Sequence, residues 1–175
     1  MIEVICGGMF AGKSEILIHR LKRAAYAKKK IVAFKPAIDS RYSVSDISSH
    51  SGQTFNSIAV LNASDILKYV KDEEVVGIDE VQFFDNYIID VVEILQKRKV
   101  DVYIAGLDLD SMGRPFGSIP HLLSVAEKVT KISAVCMECG ADATRSQRLV
   151  KTDEQVLVGA TDSYEARCFN CWFPQ

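Results

Sequence analysis

The first residues whose types and spacing could support chemistry form a glycine-rich loop after a short apolar run near the N-terminus. The stretch "EVICGGMFAGKSE" satisfies the pattern G-x-x-x-x-G-K-[ST], which begins at Gly7 and ends at Ser14. Glycines let backbone N–H groups turn toward phosphate oxygens, and a helix that begins at Lys13 would direct its positive end toward them. A lysine in this position reaches the β- and γ-phosphates, and Ser14 can ligate Mg²⁺. The alternative is a chance match to the pattern. We predict that this loop binds ATP through Gly7, Gly8, Met9, Phe10, Ala11, Gly12, Lys13 and Ser14.

A second candidate feature is the acidic pair that follows the apolar run "VVGID". A phosphate-loop protein needs an acidic residue at the end of a second buried strand, and Asp79 stands there. Asp79 is predicted to hold Mg²⁺, directly or through water. Glu80 would face the opposite way along an extended backbone, toward the phosphate acceptor, where a carboxylate can take a proton from a hydroxyl or orient a water. The alternative is a solvated acidic pair at a strand end.

Two cysteine pairs near the C-terminus indicate a metal site. Cys136 and Cys139 form one C-x-x-C pair, Cys168 and Cys171 form another, and residues 140–167 separate the two pairs. Four thiolates suit tetrahedral Zn²⁺ and leave no open position, which predicts a structural role. Packing or disulfide formation is the alternative. The fifth cysteine, Cys6, lies in the first apolar run and is interpreted as a core residue.

The overall composition limits the possible partners and compartments. The chain has 175 residues, 48% of them hydrophobic, with a formal net charge of −2, and its isoelectric point is near 5.9. These values argue against a broad nucleic-acid-binding face. No apolar stretch approaches about 20 residues, so we expect no membrane span. The start "MIEVIC" lacks the basic region of a signal peptide, and five cysteines without an export signal indicate a reducing, cytoplasmic compartment.

Apolar runs alternate with amphipathic segments along the first three quarters of the chain. Continuous apolar strands separated by helices predict an α/β fold with a parallel sheet that is covered on both faces. From Cys136 onward, turns, charges and paired cysteines indicate a second, smaller module. The polar, serine-rich segment 37–56 is predicted to be a long loop. The predicted strands cover residues 2–6, 31–36, 57–61, 75–79 and 100–108, and the predicted helices cover 13–30, 64–69, 86–98 and 119–129.

Five motifs, in order, make the sequence resemble the zinc-containing class of thymidine kinases. They are "GGMFAGKS", "GIDEVQFF", "AGLDLD…PFG", "AVCMECG" and "YEARCFNC", and they extend from the first strand to about Cys171. The resemblance implies ATP-dependent phosphorylation of the 5′-hydroxyl of thymidine or deoxyuridine. It also implies a Rec-A-like P-loop domain over residues 1–133, a zinc-binding lasso domain over residues 134–175, and a homotetramer.

The same resemblance assigns roles to individual residues. It makes Lys13 and Ser14 the phosphate and Mg²⁺ groups, Asp79 the metal-side acid and Glu80 the catalytic base. It implies a thymidine pocket lined by Met9, Phe83, Leu107, Phe116 and Tyr164, with a lasso that holds the pyrimidine edge through the backbone of Val156, Leu157, Val158 and Gly159. Aromatic and thioether side chains suit a flat base with a methyl group. Core packing is the alternative for the phenylalanines and is preferred for Phe84. Supporting positions implied by the resemblance are Arg41, Gln82 and Asp108.

The sequence departs from the family pattern in places, and other functions stay open. Gly8 stands where the family often has proline, and Ser111 stands where an aromatic residue commonly packs near the base. Another P-loop nucleotide kinase would carry its zinc lid in the middle of the chain. A regulatory GTPase would need an Asn-Lys-x-Asp motif, which is missing from the sequence. A DNA-binding ATPase with a zinc ribbon would be more basic.

Overall fold

The computed structural model describes residues 1–37, 46–49, 52–150 and 163–173. Arg41 and the predicted lasso residues Val156 to Gly159 therefore lie outside the described residues. Among the residues that are described, no helix is long and apolar enough to cross a membrane.

The strands and helices that the sequence predicted are present in the predicted order, together with additional strands. The strands are β1 (Ile2–Gly7), β2 (Ile31–Pro36), β3 (Asp46–Ser48), β4 (Thr54–Asn56), β5 (Ile58–Val60), β6 (Val75–Ile78), β7 (Asp101–Gly106), β8 (Lys128–Ile132), β9 (Ala134–Val135), β10 (Asp142–Ala143), β11 (Arg145–Arg148) and β12 (Tyr164–Arg167). The α-helices are α1 (Lys13–Tyr26), α2 (Ile66–Tyr69), α3 (Ile88–Lys97) and α4 (Ile119–Val125). Short 3₁₀ helices cover Ala63–Asp65, Val81–Phe83 and Phe169–Cys171.

A parallel sheet of six strands, counted over the described residues, is the centre of the fold. Its strand order is β5-β2-β6-β7-β1-β8, and every pairing in it is parallel. Alternate residues of β1 face opposite layers: Val4 belongs to the core that includes α3 and α4, and Ile5 belongs to the core that includes α1. Helices thus cover both faces of an almost entirely buried central strand. The predicted α/β class, with its parallel sheet and flanking helices, is confirmed.

The region after α4 differs from the prediction. A helix was expected over 119–129, but α4 ends at Val125 and Lys128–Ile132 forms β8, which pairs with β1 at the edge of the sheet. The β-branched residues Val129, Thr130 and Ile132 favour an extended backbone beside β1, and this long-range pairing outweighs the local helical pattern. The polar segment 37–56 also contains the antiparallel pair β3–β4, in which Ile47 is fully buried.

Two helix ends differ as well. The first helix ends at Tyr26 rather than at residue 30, because Lys28 adopts a left-handed conformation with φ 59°. The helix predicted over 64–69 begins one residue earlier, as the 3₁₀ turn Ala63–Asp65 that Asn62 caps.

Beyond residue 133 the chain forms two small antiparallel pairs, β9–β10 and β11–β12. A compact cluster of alanines and cysteines packs between them, and Phe10 and Ala11 of the glycine-rich loop pack against that cluster. The predicted boundary between domains 1–133 and 134–175 stays a prediction.

Candidate active site

The glycine-rich loop connects the carboxyl end of β1 to the first turn of α1. A Cβ atom at Gly7 would lie 2.2 Å from the carbonyl oxygen of Ile132 in β8, so only glycine fits beside that strand. Gly12 caps the helix in the left-handed region, with φ 88°. The residues predicted to bind phosphate therefore form one continuous loop before the positive end of a 14-residue helix, which is the local structure that anions favour.

Lys13 lies inside this loop rather than on the surface. Its side chain is buried, and Nζ donates a 2.7 Å hydrogen bond to the carbonyl oxygen of Gly8. Burial lowers the pKa of Lys13, and the negative charges of Glu80, Asp79 and Asp108 act in the opposite direction. The ammonium group is thus held across the loop, where a bound phosphate could replace the carbonyl as its partner.

Ser14 and Asp79 are brought together from two different elements. Ser14 Oγ donates a 2.9 Å hydrogen bond to Asp79 Oδ2, and the Asp79 amide donates to the carbonyl of Phe34 in β2. Burial first, and then the charge of Glu80, raise the pKa of Asp79 to about 7. A cation beside this carboxylate would stabilise its charged form.

The same two oxygens fit a magnesium ion. Neighbouring ligands of an octahedral Mg²⁺ with bonds of 2.0–2.1 Å are separated by about 2.9 Å, which matches the distance between Ser14 Oγ and Asp79 Oδ2. A serine hydroxyl and a carboxylate are also the donor types that Mg²⁺ prefers. The two residues predicted as magnesium ligands therefore suit that ion.

Glu80 adjoins Asp79 but does not continue the strand. Its backbone is left-handed, with φ 51° and ψ 40°, and caps the 3₁₀ turn Val81–Phe83. The expectation of an extended backbone at Glu80 is therefore wrong, because the tight turn after β6 requires a reversal there. The Glu80 amide donates to Asp79 Oδ1 at 3.0 Å, and its Oε2 accepts from Gln82 Nε2 at 2.5 Å. The two carboxylates thus have different partners and can serve different roles.

The residues predicted for the thymidine pocket come from several loops, a 3₁₀ turn and a strand. Phe83 and Phe116 contact edge to face, with ring centroids 5.6 Å apart and planes at 88°. The Leu107 amide donates to Gln82 Oε1 at 3.0 Å, and the Met9 amide donates to Ser146 Oγ at 3.0 Å.

Tyr164 lies farther along the chain, on β12. The Arg148 guanidinium lies over its ring at 5.5 Å and donates to its hydroxyl at 3.1 Å. Phe84 is buried in the main core, which confirms the core interpretation for that residue.

Contacts around Asp108 and Ser111 were not foreseen from the sequence. Asp108 is buried and forms a 2.8 Å ion pair with Lys131 of β8, while its Oδ1 has no hydrogen-bond partner among the described residues. The indole of Trp172 donates to the carbonyl of Ser111 at 3.2 Å. Lys131 lies in β8, a strand that the sequence did not predict. No local pattern indicates that Trp172 reaches back to Ser111.

The four C-terminal cysteines converge on one point. Their Sγ atoms lie within 4.8 Å of one another, and those of Cys139 and Cys168 are 3.6 Å apart. A tetrahedral zinc ion with bonds of about 2.3 Å places its sulfur ligands about 3.8 Å apart, so the cluster could hold a structural metal such as zinc. All five cysteines, each in the described part of the chain, are free thiols, which disfavours the disulfide alternative.

The thiols of this cluster differ in acidity. A hydrogen bond from the Cys168 amide is the main factor that lowers the pKa of Cys136 to about 6, whereas hydrogen bonding with the Cys168 thiol is the main factor that raises the pKa of Cys171 to about 12. Zinc binds cysteine as the thiolate, so a bound cation would stabilise the deprotonated form of these ligands. Metal binding at this cluster would therefore release protons.

Two solved structures have a weak similarity to this chain. A DNA replication initiation factor has 11% sequence identity and a TM-score of 0.46, over 75% of this chain and 39% of that chain. The ATPase DotB of Legionella pneumophila has 12% identity and a TM-score of 0.41, over 70% of this chain and 33% of that chain. This chain thus spans well under half the length of either protein.

The comparison with protein families gives a match over nearly the whole chain. The family model described as thymidine kinase matches residues 1–172 of this chain. The match includes the glycine-rich loop, the acidic pair and both cysteine pairs, which are the features that carried the resemblance in the sequence. The chain belongs to the thymidine kinase family.

Proposed function

We propose that this protein transfers the γ-phosphoryl group of ATP to the 5′-hydroxyl of thymidine, and also of deoxyuridine. Membership of the thymidine kinase family supports the reaction class. The observation that carries the assignment of residues is the 2.9 Å contact between Ser14 and Asp79, with Glu80 next in the chain and tied to a different partner. One carboxylate then faces the metal position, and the other is available to the acceptor.

Each group of the loop has a defined part in the proposed transfer. The N–H groups at the start of α1 and the Lys13 ammonium bind the β- and γ-phosphates and stabilise the charge that develops on them. Ser14 and Asp79 would hold Mg²⁺, which neutralises phosphate charge when it is bound.

Glu80 accepts the proton of the 5′-hydroxyl as that oxygen forms its bond to the γ-phosphorus. The bond between the γ-phosphorus and the β–γ bridging oxygen breaks, and ADP leaves. Phosphoryl transfer depends on such positioning and charge stabilisation more than on covalent chemistry.

The nucleoside base is proposed to bind near the Phe83–Phe116 pair. An edge-to-face aromatic pair offers a flat apolar wall, and Met9, Leu107 and Tyr164 are assigned to the same pocket. We assign the backbone of Val156 to Gly159 to the pyrimidine edge, from the resemblance alone. Zn²⁺ held by the four cysteines would have a structural role, since four protein ligands leave no open position. The homotetramer and the cytoplasmic location stay predictions.

A nucleoside panel tests the proposal directly. The purified protein is assayed with Mg-ATP and, separately, thymidine, deoxyuridine, deoxycytidine, deoxyguanosine or duplex DNA, and both ADP and the 5′-monophosphate are measured. With thymidine, and separately with deoxyuridine, we expect ADP and the 5′-monophosphate to form in equal amounts. Lys13→Met should abolish turnover, whereas Lys97→Met, at a residue whose side chain is 77% exposed on α3, should leave it unchanged. ADP formation that requires DNA, or that no nucleoside stimulates, would contradict the proposal.

A further inference from the structure

The side chain of Gln82 connects two parts of the candidate site. Gln82 lies in the 3₁₀ turn after Glu80 and is only 4% exposed. Its Nε2 donates to Glu80 Oε2 at 2.5 Å, and its Oε1 accepts from the Leu107 amide at 3.0 Å. An amide N–H can only donate and an ionised carboxylate can only accept, so both bonds require the same orientation of the Gln82 amide group. The arrangement is therefore unambiguous.

The surrounding backbone leaves room for this side chain. A Cβ atom at Gly106 would lie 2.7 Å from Gln82 Oε1, and a Cβ atom at Gly117 would lie 2.6 Å from the Gln82 carbonyl oxygen. Glycines at the end of β7 and in the loop before α4 thus allow close contact on two sides of Gln82. A buried polar side chain with both ends satisfied is rigid, because losing either bond would leave a buried group without a partner.

The hydrogen bond from Gln82 restricts the side chain of Glu80, whose own backbone is in the uncommon left-handed region. A half-buried carboxylate at a turn has several rotamers, and the bond from Gln82 selects one of them. It occupies Oε2 and leaves Oε1 without a hydrogen-bond partner among the described residues. One carboxylate oxygen is therefore held, and the other can receive a proton.

We propose that Gln82 is the positioning residue for Glu80: its amide holds the carboxylate against the Leu107 backbone, so that the second oxygen faces the acceptor hydroxyl. This inference rests on the proposed function, because it assumes that Glu80 is the base. It adds that the base and the loop after β7 are one hydrogen-bonded unit. A misplacement of about 1 Å in such a unit can reduce the rate by about 10²-fold.

Gln82→Glu separates this role from packing. Glutamate has nearly the same shape and can still accept from the Leu107 amide, but once ionised it no longer donates to Glu80 and repels it. We expect kcat to fall by about 10- to 100-fold, with the KM for ATP changed by less than about threefold. Gln82→Met, which loses both hydrogen bonds, should lower kcat at least as much. Wild-type kcat in Gln82→Glu would overturn the proposal. Thermal unfolding of each variant establishes whether the fold is retained. If Gln82→Met does not fold, the near-isosteric Gln82→Glu alone decides the test.

A double-mutant cycle with Glu80→Gln tests whether Gln82 acts through Glu80. Without a carboxylate to position, adding Gln82→Met to Glu80→Gln should change kcat by less than about threefold. If the two losses multiply instead, Gln82 acts independently of Glu80 and the inference is wrong. If Glu80→Gln alone has normal kcat, the base in the proposed function is wrong, and the role of Gln82 fails with it. A low kcat in Glu80→Gln with normal kcat in both Gln82 variants overturns only the present inference.

Discussion

Lys13, Asp79 and Glu80 place one positive and two potentially negative groups in a small, largely buried space at the ends of β1 and β6. Burial lowers the pKa of Lys13 and, together with the charge of Glu80, raises the pKa of Asp79 to about 7, so burial opposes charge at both residues. A metal ion beside Asp79 and phosphate beside Lys13 would each reverse this effect. At the residue scale the site is therefore complementary to a metal–phosphate complex.

The first residue-scale prediction concerns Glu80→Gln. The amide keeps the size of the side chain and can still accept from Gln82 Nε2, but it cannot take a proton from a hydroxyl. We expect kcat to fall by about 10²-fold or more, as for the loss of a general base. The dissociation constant for Mg-ATP, measured by equilibrium titration, should stay within about threefold of wild type. Glu93→Gln, at a half-buried position on α3, is the control. Near-normal turnover in the Glu80 variant would remove this residue from the mechanism.

Phe83→Leu tests the proposed base pocket. The substitution keeps an apolar side chain but removes the ring that contacts Phe116 edge to face. Aromatic pairs of this kind contribute about 0.5–1.5 kcal/mol beyond buried area, so the KM for thymidine should rise by about 2- to 12-fold while the KM for ATP stays constant.

The neighbouring Phe84→Leu is the matched control for this variant. Phe84 lies in the core, so its substitution should lower the melting temperature and leave the KM for thymidine unchanged. If the two variants have the same effect on KM, the pocket assignment is wrong.

At the scale of elements, the sequence was sufficient to predict features whose residues lie close together in the chain. The apolar run of β1, the glycines and Lys13 lie within one continuous segment, and so do β6 and Asp79, so periodicity and turn chemistry were sufficient for them. The strand β8 could not be found in this way, because its pairing partner β1 lies more than 120 residues away in the chain. The left-handed backbone of Glu80 was missed for a different reason: glutamate rarely adopts it, and only the packing after β6 requires it.

Contacts between the glycine-rich loop and the C-terminal region were likewise beyond sequence reasoning. Phe10 and Ala11 pack against the alanine–cysteine cluster, and the Met9 amide donates to Ser146 of β11. The loop that is proposed to bind phosphate therefore rests on the region organised by the four cysteines. If the region around the four cysteines loses its order, we expect the glycine-rich loop to lose order as well.

Cys168→Ser tests this connection between elements. Cys168 is buried in the cluster, and its loss leaves three thiol ligands. We expect the purified variant to lose its zinc, measured by elemental analysis against about one zinc per chain in the wild type, and to show a higher KM for ATP. Cys6→Ala, at a buried cysteine of β1 outside the cluster, should keep its zinc. A zinc-free variant with wild-type KM values for both substrates would show that the loop does not depend on the cluster.

For the whole molecule, Glu3 joins three elements at the edge of the sheet. It is 1% exposed on β1, accepts two hydrogen bonds from Arg20 of α1 at 3.0 and 3.1 Å, and accepts a third from Thr130 of β8 at 2.9 Å. Lys128, also on β8, forms an ion pair with it at 3.1 Å. A carboxylate inside a strand would otherwise destabilise the core, so these partners make Glu3 a connection between the first helix and the edge strand.

Glu3→Gln should therefore destabilise the whole fold in a pH-dependent way. Burial acts to raise the pKa of Glu3, but hydrogen bonds from Arg20, Thr130 and Lys128 outweigh it and hold the pKa below the ordinary value of 4.5. A lowered folded-state pKa means that the stabilisation is complete above the unfolded-state pKa and is lost as the pH falls through the folded-state pKa. In urea titrations we expect the variant to lose about 2 kcal/mol at pH 7 and progressively less below pH 4.5. Asp72→Asn, which breaks an ion pair between exposed side chains, should lose clearly less stability than Glu3→Gln, because water screens exposed charges. An equal loss for Glu3→Gln at pH 7 and pH 3 would show that its charge is not what stabilises the fold.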